Sequence, residues 1–182
     1  MRLFDKRIIS HFDHILVFLV LPLIFLSHHL INETNEILAQ KQLIYFSVAA
    51  ICFILVFFLP IRNNLRVIPF LYWVGILLLL AVEFFGVTKL GATRWLAIPF
   101  TNATIQPSEL IKPIFLLMLG YLIYINPPKK EGYGIKEFLH FSFYILLPFI
   151  LIAKEPDLGT AMVLLFVGYG VLFVIGVKWK IW

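Results

Sequence analysis

Charged residues are scarce in this sequence: Asp, Glu, Lys and Arg together make up 14% of its 182 residues. A soluble domain keeps about a quarter of its residues charged. Hydrophobic residues make up 62% of the chain, and the mean hydropathy is +0.97. This balance excludes an ordinary soluble domain and indicates an integral membrane protein.

Cysteine and long basic runs are also nearly absent. The single cysteine, Cys52, can form no intramolecular disulfide and has no CxxC partner for zinc, so we interpret it as a small core residue. No basic run exceeds the pair Lys129-Lys130, although the net charge is +5. Because the basic residues lie between hydrophobic blocks, we expect them to orient the chain in a membrane, and we expect no nucleic-acid partner.

The apolar residues come in blocks long enough to cross a bilayer. Crossing takes roughly 20 helical residues, since about 30 Å of hydrocarbon is spanned at about 1.5 Å per residue. We predict an all-α integral membrane protein, with a single membrane domain over residues 1–182 and about six transmembrane helices. The predicted spans are 15–31, 43–59, 67–87, 106–125, 138–153 and 158–177.

The distribution of basic residues predicts the orientation of these spans. With a cytoplasmic N-terminus, every inside segment holds at least two basic residues, as the positive-inside rule requires. The outside segments are then 32–42, 88–105 and 154–157. The inside residues are Arg2, Lys6, Arg7, Arg62, Arg66, Lys129, Lys130, Lys136, Lys178 and Lys180; the others are Lys41, Lys89, Arg94, Lys112 and Lys154.

Ionisable groups near the spans concentrate on the predicted outer side, and such groups are functional candidates by default. Around the fourth span, Gln106 precedes a proline that suits a helix start. Glu109 then lies where the helix dipole favours an acid, and Ser108, Glu109 and Lys112 can share one face. Two interpretations of this segment are open. Lys112 either extends toward the membrane surface and pairs with Glu109 for stability, or it lines a polar cavity that receives a phosphate-bearing lipid.

Two further outer segments carry candidate residues. Glu155 and Asp157 flank a proline at the start of the sixth span, either as a simple helix cap or as part of a polar site shared with the fourth span. Arg94 offers a planar fork suited to pyrophosphate, and Trp95 suits the headgroup belt. Both could equally be lipid anchors.

Two other patterns are weaker. The segment 167–170 resembles a potassium filter, but it lies in an uninterrupted apolar span, so we predict close helix packing through small residues. The histidines fall on opposite sides of the membrane and form no metal-binding motif, so we predict interfacial polar residues and no metal site. The residues of this second pattern are four histidines and one aspartate: His11, Asp13, His14, His28 and His29.

Three segments together resemble a known family. The segment 91–96 reads Gly-Ala-Thr-Arg-Trp-Leu, and 106–112 reads Gln-Pro-Ser-Glu-Leu-Ile-Lys. This pair resembles the signature of the SEDS proteins, the shape, elongation, division and sporulation family of RodA, FtsW and SpoVE. The segment 155–161 is similar to a further signature that commonly begins with glutamine, so Glu155 is a departure. The resemblance is closer to the rod-elongation branch.

The resemblance implies a fold of about ten transmembrane helices, of which this chain is the N-terminal part. It implies a peptidoglycan glycosyltransferase that polymerises lipid II: a sugar 4-hydroxyl attacks the anomeric carbon of the growing strand, and undecaprenyl pyrophosphate leaves. The family's catalytic aspartate lies in a large extracytoplasmic loop after the seventh helix, beyond residue 182. We therefore expect this chain to be a fragment or a truncated product, inactive alone.

The resemblance also assigns roles. It implies phosphate or pyrophosphate contacts for Arg94 and Lys112. It implies a bacterial inner membrane, a class B penicillin-binding protein transpeptidase and elongation-complex membrane proteins as partners. No cofactor is evident, and a divalent cation is possible. The residues expected to shape or support the cavity are Trp95, Gln106, Ser108, Glu109, Glu155, Asp157 and Thr160.

Two other functions remain open. A flippase for the lipid-linked precursor could use the same outward cavity, but a transporter needs a pathway open to both sides in turn. The charged groups cluster near one face, which favours polymerisation. A non-catalytic subunit of the elongation or division complex would need only packing faces.

Overall fold

A computed structural model describes residues 12–58, 65–89, 91–99, 103–128 and 132–182. The chain divides into two compact units, Met1–Asn63 and Asn64–Trp182, and the single-domain expectation stays a prediction. Several residues used above lie outside the described ranges: Arg2, Lys6, Arg7, His11, Arg62, Lys129 and Lys130.

The first unit is a helical hairpin of α1 (His14–Thr34) and α2 (Glu36–Phe57). The Asp13 carboxylate caps α1, and the Asn35 side chain caps α2 by accepting a hydrogen bond from the Leu38 backbone N–H at 3.1 Å. Between the helices, the Gln42 amide donates to the Ser27 hydroxyl at 2.9 Å. Most of the remaining surface of the hairpin is apolar, and Cys52 lies exposed on it, so the interpretation of Cys52 as a core residue is wrong.

That apolar surface suits lipid. Every residue of α1 is at least partly exposed, and Ile15 and Phe18 are 74% and 72% exposed. A helix that is hydrophobic on all sides and long enough to cross a bilayer is stable in a membrane. The second helix begins seven residues before the predicted span at 43, because Asn35 and Glu36 satisfy its first turn, so most of the outer segment 32–42 is helical.

The described residues of the second unit form four α-helices: α3 (Val67–Phe85), α4 (Pro107–Ile125), α5 (Ile135–Lys154) and α6 (Leu158–Val174). A short 3-10 helix follows at Trp179–Ile181. Among the described residues, five helices are long and apolar enough to cross a membrane, and α6 is a shorter apolar helix of 17 residues. The predicted all-α membrane fold of about six helices is confirmed.

Close helix contacts form at glycines. Gly75 of α3 packs against Ile111 of α4, and Gly168 of α6 packs against Ile145 of α5. A Cβ at residue 168 would lie 2.9 Å from Ile145 Cγ1, closer than a side chain tolerates. The prediction of helix packing through segment 167–170 is therefore confirmed at Gly168.

The outer segment 88–105, predicted as a loop, contributes instead to a small antiparallel sheet. Its strands are β1 (Gly86–Lys89), β2 (Ala92–Ala97) and β3 (Thr104–Ile105), paired in that order. Gly91 has φ +80, a conformation that glycine adopts readily, and it lies between β1 and β2 where the chain reverses. β1 directly follows α3, so the third span ends at residue 85 rather than 87.

The two ends of the second unit differ. One end consists of the sheet, the last turns of α3 and α5 and the first turns of α4 and α6, and we call it the sheet end. At the far end, the start of α5 meets the end of α6, because the Tyr133 N–H donates to the Gly176 carbonyl at 3.1 Å and the Lys178 N–H donates to the Tyr133 carbonyl at 3.2 Å. The Tyr133 hydroxyl also donates to the Asn126 carbonyl after α4.

Candidate functional site

Arg94 joins the sheet to the turn between α5 and α6. Its Nε donates to the Glu155 carbonyl at 3.0 Å, its Nη2 donates to the Pro156 carbonyl, and its Nη1 lies 3.8 Å from Asp157 Oδ1. The side chains of Arg94 and Asp157 are 27% and 12% exposed. The planar guanidinium therefore holds three acceptors of one turn at once, which a lysine could not do.

Asp157 joins the starts of α4 and α6. Its Oδ1 accepts from the Thr160 backbone N–H at 3.3 Å and caps α6. Its Oδ2 lies 3.5 Å from the Gln106 amide, which also donates to the Ser108 hydroxyl at 3.0 Å. Arg94, Gln106, Ser108, Asp157 and Thr160 thus form one cluster, which we call the Arg94 cluster.

Glu109 and Lys112 lie on a more exposed face of α4. Lys112 Nζ is 2.7 Å from Glu109 Oε1, and the two side chains are 35% and 56% exposed. Ser108 does not share this face, because it is fully buried beside Gln106. Of the two predicted phosphate contacts, Lys112 thus has the more exposed side chain, 35% against 27% for Arg94.

Trp95 follows Arg94 on β2. It pairs with Val87 across the sheet and is half-buried. The next pair is Thr88 with Thr93, so Arg94 is an extra residue of β2 at a bulge. A bulge interrupts the regular alternation of a strand and redirects a side chain, here that of Arg94 toward the turn between α5 and α6. The sheet also carries Lys89, whose ammonium donates to the Thr104 hydroxyl at 2.7 Å.

Glu155 is the residue whose environment the sequence did not reveal. It is 6% exposed, and within the described part of the chain both carboxylate oxygens are buried without a hydrogen-bond partner. Burial, followed by the nearby charge of Asp157, raises the pKa of Glu155 to about 7 against the lowering effect of Arg94. The one sequence signal was that glutamine commonly stands at this place in the family signature.

A cavity of about 350 Å³ lies beside Glu155. Its walls are apolar side chains of α3 and α5 with Thr93 of the sheet, and Glu83 and Lys154 also line it. Lys154 Nζ lies 3.6 Å from Glu83 Oε1, and both side chains are exposed. A larger cavity of about 540 Å³ lies at the far end, lined in part by Tyr133, Lys136 and His140.

The side chains that commonly bind metals are spread over the described part of the chain. In the described ranges, no three His, Cys, Asp or Glu side chains come close enough to bind a metal. His14 stacks edge-on against Phe12, and the His28 ring contacts Gln42 at 3.3 Å, so both make local contacts in the first unit.

The fold and the Arg94 cluster define a multi-span membrane protein with a polar site at one end of its helices. Residues 3–182 match the cell cycle protein family represented by FtsW, RodA and SpoVE. The chain belongs to this family, and the resemblance drawn from the three signature segments is confirmed.

Related proteins of known name extend the comparison. The peptidoglycan glycosyltransferase MrdB of Helicobacter pylori strain J99 is 47% identical over 178 residues, which cover 98% of this chain and 47% of the relative. The crystal structure of the rod shape determining protein RodA of Thermus thermophilus matches with a TM-score of 0.80 and 27% identity, over 93% of this chain and 56% of that chain.

A chain from a peptidoglycan synthase complex that coordinates polymerization and crosslinking matches equally well. Its TM-score is 0.80 and its identity 27%, over 93% of this chain and 49% of that chain. This chain therefore spans about half the length of the curated relatives it matches. The similarity to rod-type proteins agrees with the expected branch.

Proposed function

We propose that this chain is part of a peptidoglycan glycosyltransferase that polymerises lipid II during cell-wall elongation and shape maintenance. The observation that carries the proposal is the Arg94 cluster, in which three signature segments far apart in sequence meet through Arg94, Gln106 and Asp157. The H. pylori relative, named a peptidoglycan glycosyltransferase, supports it.

The reaction needs two kinds of help. The sugar 4-hydroxyl must lose its proton as it bonds to the anomeric carbon, and the pyrophosphate oxygen must carry negative charge as its bond to that carbon breaks. We assign the second task to Lys112, because its side chain and that of its partner Glu109 are both exposed, whereas Arg94 is held by two backbone carbonyls and Asp157. A divalent cation carried with the pyrophosphate would add to this positive charge. The base is the family's aspartate, outside residues 1–182.

The remaining site residues act as supports. Arg94, Gln106 and Asp157 fix the starts of α4 and α6 against the sheet, and this holds Lys112 in place. Ser108 and Thr160 complete the hydrogen bonds of that cluster, while Glu109 orients the Lys112 ammonium. Trp95 anchors the sheet at the headgroup belt.

We further propose that the sheet end faces the periplasm and that the chain lies in the bacterial inner membrane. Ten of the fifteen basic residues then lie on the cytoplasmic side, including Lys136 and Lys178 at the far end. Lipid II polymerisation takes place outside the cytoplasm, so this orientation puts Lys112 on the side where the substrate is presented.

Partners follow from the same proposal. The solved relative belongs to a complex that coordinates polymerization with crosslinking. Crosslinking requires a transpeptidase, so we propose a class B penicillin-binding protein as the partner of this protein, with other elongation-complex membrane proteins around it. This partner would receive the new glycan strand on the periplasmic side.

The test of the proposed function is lipid II polymerisation by the complete natural polypeptide that contains this chain. We expect Lys112→Ala to lower polymerisation roughly tenfold to a hundredfold, since a hydrogen bond to a charged group is worth about 1.5–3 kcal/mol. The control is Lys41→Ala, which removes an exposed cation predicted on the same membrane side. Equal polymerisation by wild type and Lys112→Ala would remove Lys112 from the site.

A further inference from the structure

Glu155 differs from the other acids of the sheet end because its carboxylate has no hydrogen-bond partner among the residues that the structure describes. Glu83 pairs with Lys154, Glu109 pairs with Lys112, and Asp157 is held by Arg94 and by the cap of α6. Both Glu155 carboxylate oxygens, by contrast, are buried and lack a hydrogen bond to any described residue. A buried carboxyl of this kind avoids the charged form unless a cation reaches it.

The nearest cation is already engaged beside it. Arg94 donates to the backbone carbonyl of Glu155 itself, and its guanidinium also pairs with Asp157. The charged groups that face Glu155 are therefore Arg94 from β2 and Asp157 from the start of α6. Glu83 of α3 and Lys154 of α5 line the same cavity as Glu155.

Glu155 is one of the residues that line a cavity at the sheet end. Its volume of about 350 Å³ exceeds that of several water molecules, each of which takes about 30 Å³ in the liquid. Burial and Asp157 bring the pKa of Glu155 to about 7, despite the opposing effect of Arg94. The neutral and ionised forms are thus both populated near neutral pH.

We propose that Glu155 is a positioning residue whose charge decides which carboxylate holds Arg94. The neutral acid leaves Arg94 with Asp157, so the sheet, the α5–α6 turn and the start of α4 stay joined. The ionised carboxylate competes with Asp157 for the guanidinium and loosens the Arg94 cluster. The effect on catalysis rests on the proposed function, because the cluster holds Lys112 in place.

The first experiment detects the proton directly and needs no enzymatic activity. Infrared spectra of the full-length protein are recorded as a pH series, following the C=O band of protonated carboxyl groups. We expect one band with a midpoint near pH 7, where the pKa of Glu155 lies, and we expect Glu155→Gln to remove it. Glu83→Gln, which removes an exposed acid lining the same cavity, should leave the band in place.

The competition with Asp157 has its own readout. Because the Asp157 charge raises the pKa of Glu155, Asp157→Asn should lower the midpoint of that band. Arg94→Lys should raise it, since an ammonium cannot keep the present contacts of the guanidinium. A band missing from wild type, or a midpoint that Asp157→Asn does not move, would overturn the proposal, even if Glu155→Gln did not fold.

The second experiment connects the proton to function through the pH profile of lipid II polymerisation. If the ionised form is inactive, wild-type activity falls about tenfold per pH unit above the infrared midpoint. We expect Glu155→Gln to stay flat over this range and Glu83→Gln to follow wild type. A Glu155→Gln profile that falls as wild type does would overturn the positioning role.

The two proposals fail in different ways. A full-length protein that makes no polymer at any pH, yet shows the infrared titration and its shift in Asp157→Asn, would refute the proposed function and leave the competition for Arg94 standing. A normal polymerase without a titrating Glu155 would do the reverse.

Discussion

Arg94 of the sheet and Asp157 at the start of α6 form an ion pair, with 3.8 Å between Nη1 and Oδ1. Asp157 also lies within 3.5 Å of the Gln106 amide at the start of α4. Asp157 therefore connects three separate segments of the chain: strand β2, the start of α4 and the start of α6. The pair is largely shielded from solvent, so breaking it costs more than breaking a surface ion pair.

The substitution Arg94→Ala should abolish polymerisation and leave membrane insertion intact. We expect its free energy of unfolding in detergent to fall by about 1–3 kcal/mol, because two carbonyls and Asp157 lose a charged donor. The polymerisation and stability of Arg94→Lys should lie between those of wild type and Arg94→Ala, since an ammonium lacks the planar fork of a guanidinium. Thermal unfolding and a lipid II assay on the full-length protein measure both effects.

Lys89→Ala serves as the matched control for Arg94. It removes another cation of the same sheet, which makes one exposed hydrogen bond to Thr104. Its stability should stay within about 0.5 kcal/mol of wild type. Wild-type stability and polymerisation in Arg94→Ala would show that the Arg94 cluster has neither role.

The stability of the protein should depend on pH through Glu155. The pKa of Glu155 is raised from 4.5 to about 7 in the folded protein by burial and by Asp157, so the folded state holds this proton more tightly than the unfolded state. The stability that folding gains from this proton is fully present below pH 4.5 and is lost as the pH rises through 7. Between pH 4.5 and 7, the free energy of unfolding of wild type should fall by up to roughly 3 kcal/mol relative to that of Glu155→Gln.

Thermal midpoints in detergent, measured as a pH series for both proteins, test this dependence. The difference between wild type and Glu155→Gln should grow between pH 4.5 and 7 and stay constant above it. A difference that is the same at every pH would mean that Glu155 has the same pKa in the folded and unfolded states, and it would contradict the raised pKa.

The contact between α5 and α6 should tolerate no side chain at residue 168. A Cβ there would lie 2.9 Å from two carbon atoms of Ile145, a stiff and fully buried residue, so Gly168→Ala should cost about 1–3 kcal/mol. Gly170 is the matched control, because nothing lies within 4 Å of its added Cβ. Gly170→Ala should be neutral or slightly stabilising. Equal losses in both variants would contradict the close packing at Gly168.

The proposed orientation can be measured with single cysteines. In a Cys52→Ser background, Thr88→Cys places a thiol on the sheet and Lys180→Cys places one at the far end, both at exposed positions. A membrane-impermeant thiol reagent applied from the periplasmic side should label residue 88 and spare residue 180 until the inner membrane is broken. The reverse pattern would put the far end outside.

The helices were predictable because each depends on its own local sequence. Apolar blocks set their positions, and Asp157 could be recognised as a helix-start acid before its contacts were known. The sheet was not predicted because its strands are only two to six residues long. They are stabilised by pairing with one another, and the local sequence of one strand does not show which segment it pairs with.

The candidate site was partly predictable. The three signature segments identified Arg94, Gln106 and Asp157, and the structure brings them together. The separation of Ser108 from Lys112 depends on which side of α4 faces the other helices, and spacing alone does not determine this. The burial of Glu155 was hidden because an acid at a helix start normally looks like a solvated cap.

Vesicles containing the full-length protein show most directly whether the sheet end belongs to a polymerase. The vesicles carry fluorescent lipid II and a class B penicillin-binding protein, and glycan strands and exchange of lipid II between leaflets are measured in the same sample. We expect long glycan strands without leaflet exchange, and a roughly tenfold to hundredfold lower yield of strands from Lys112→Ala. Leaflet exchange without strands would contradict this expectation and identify a flippase.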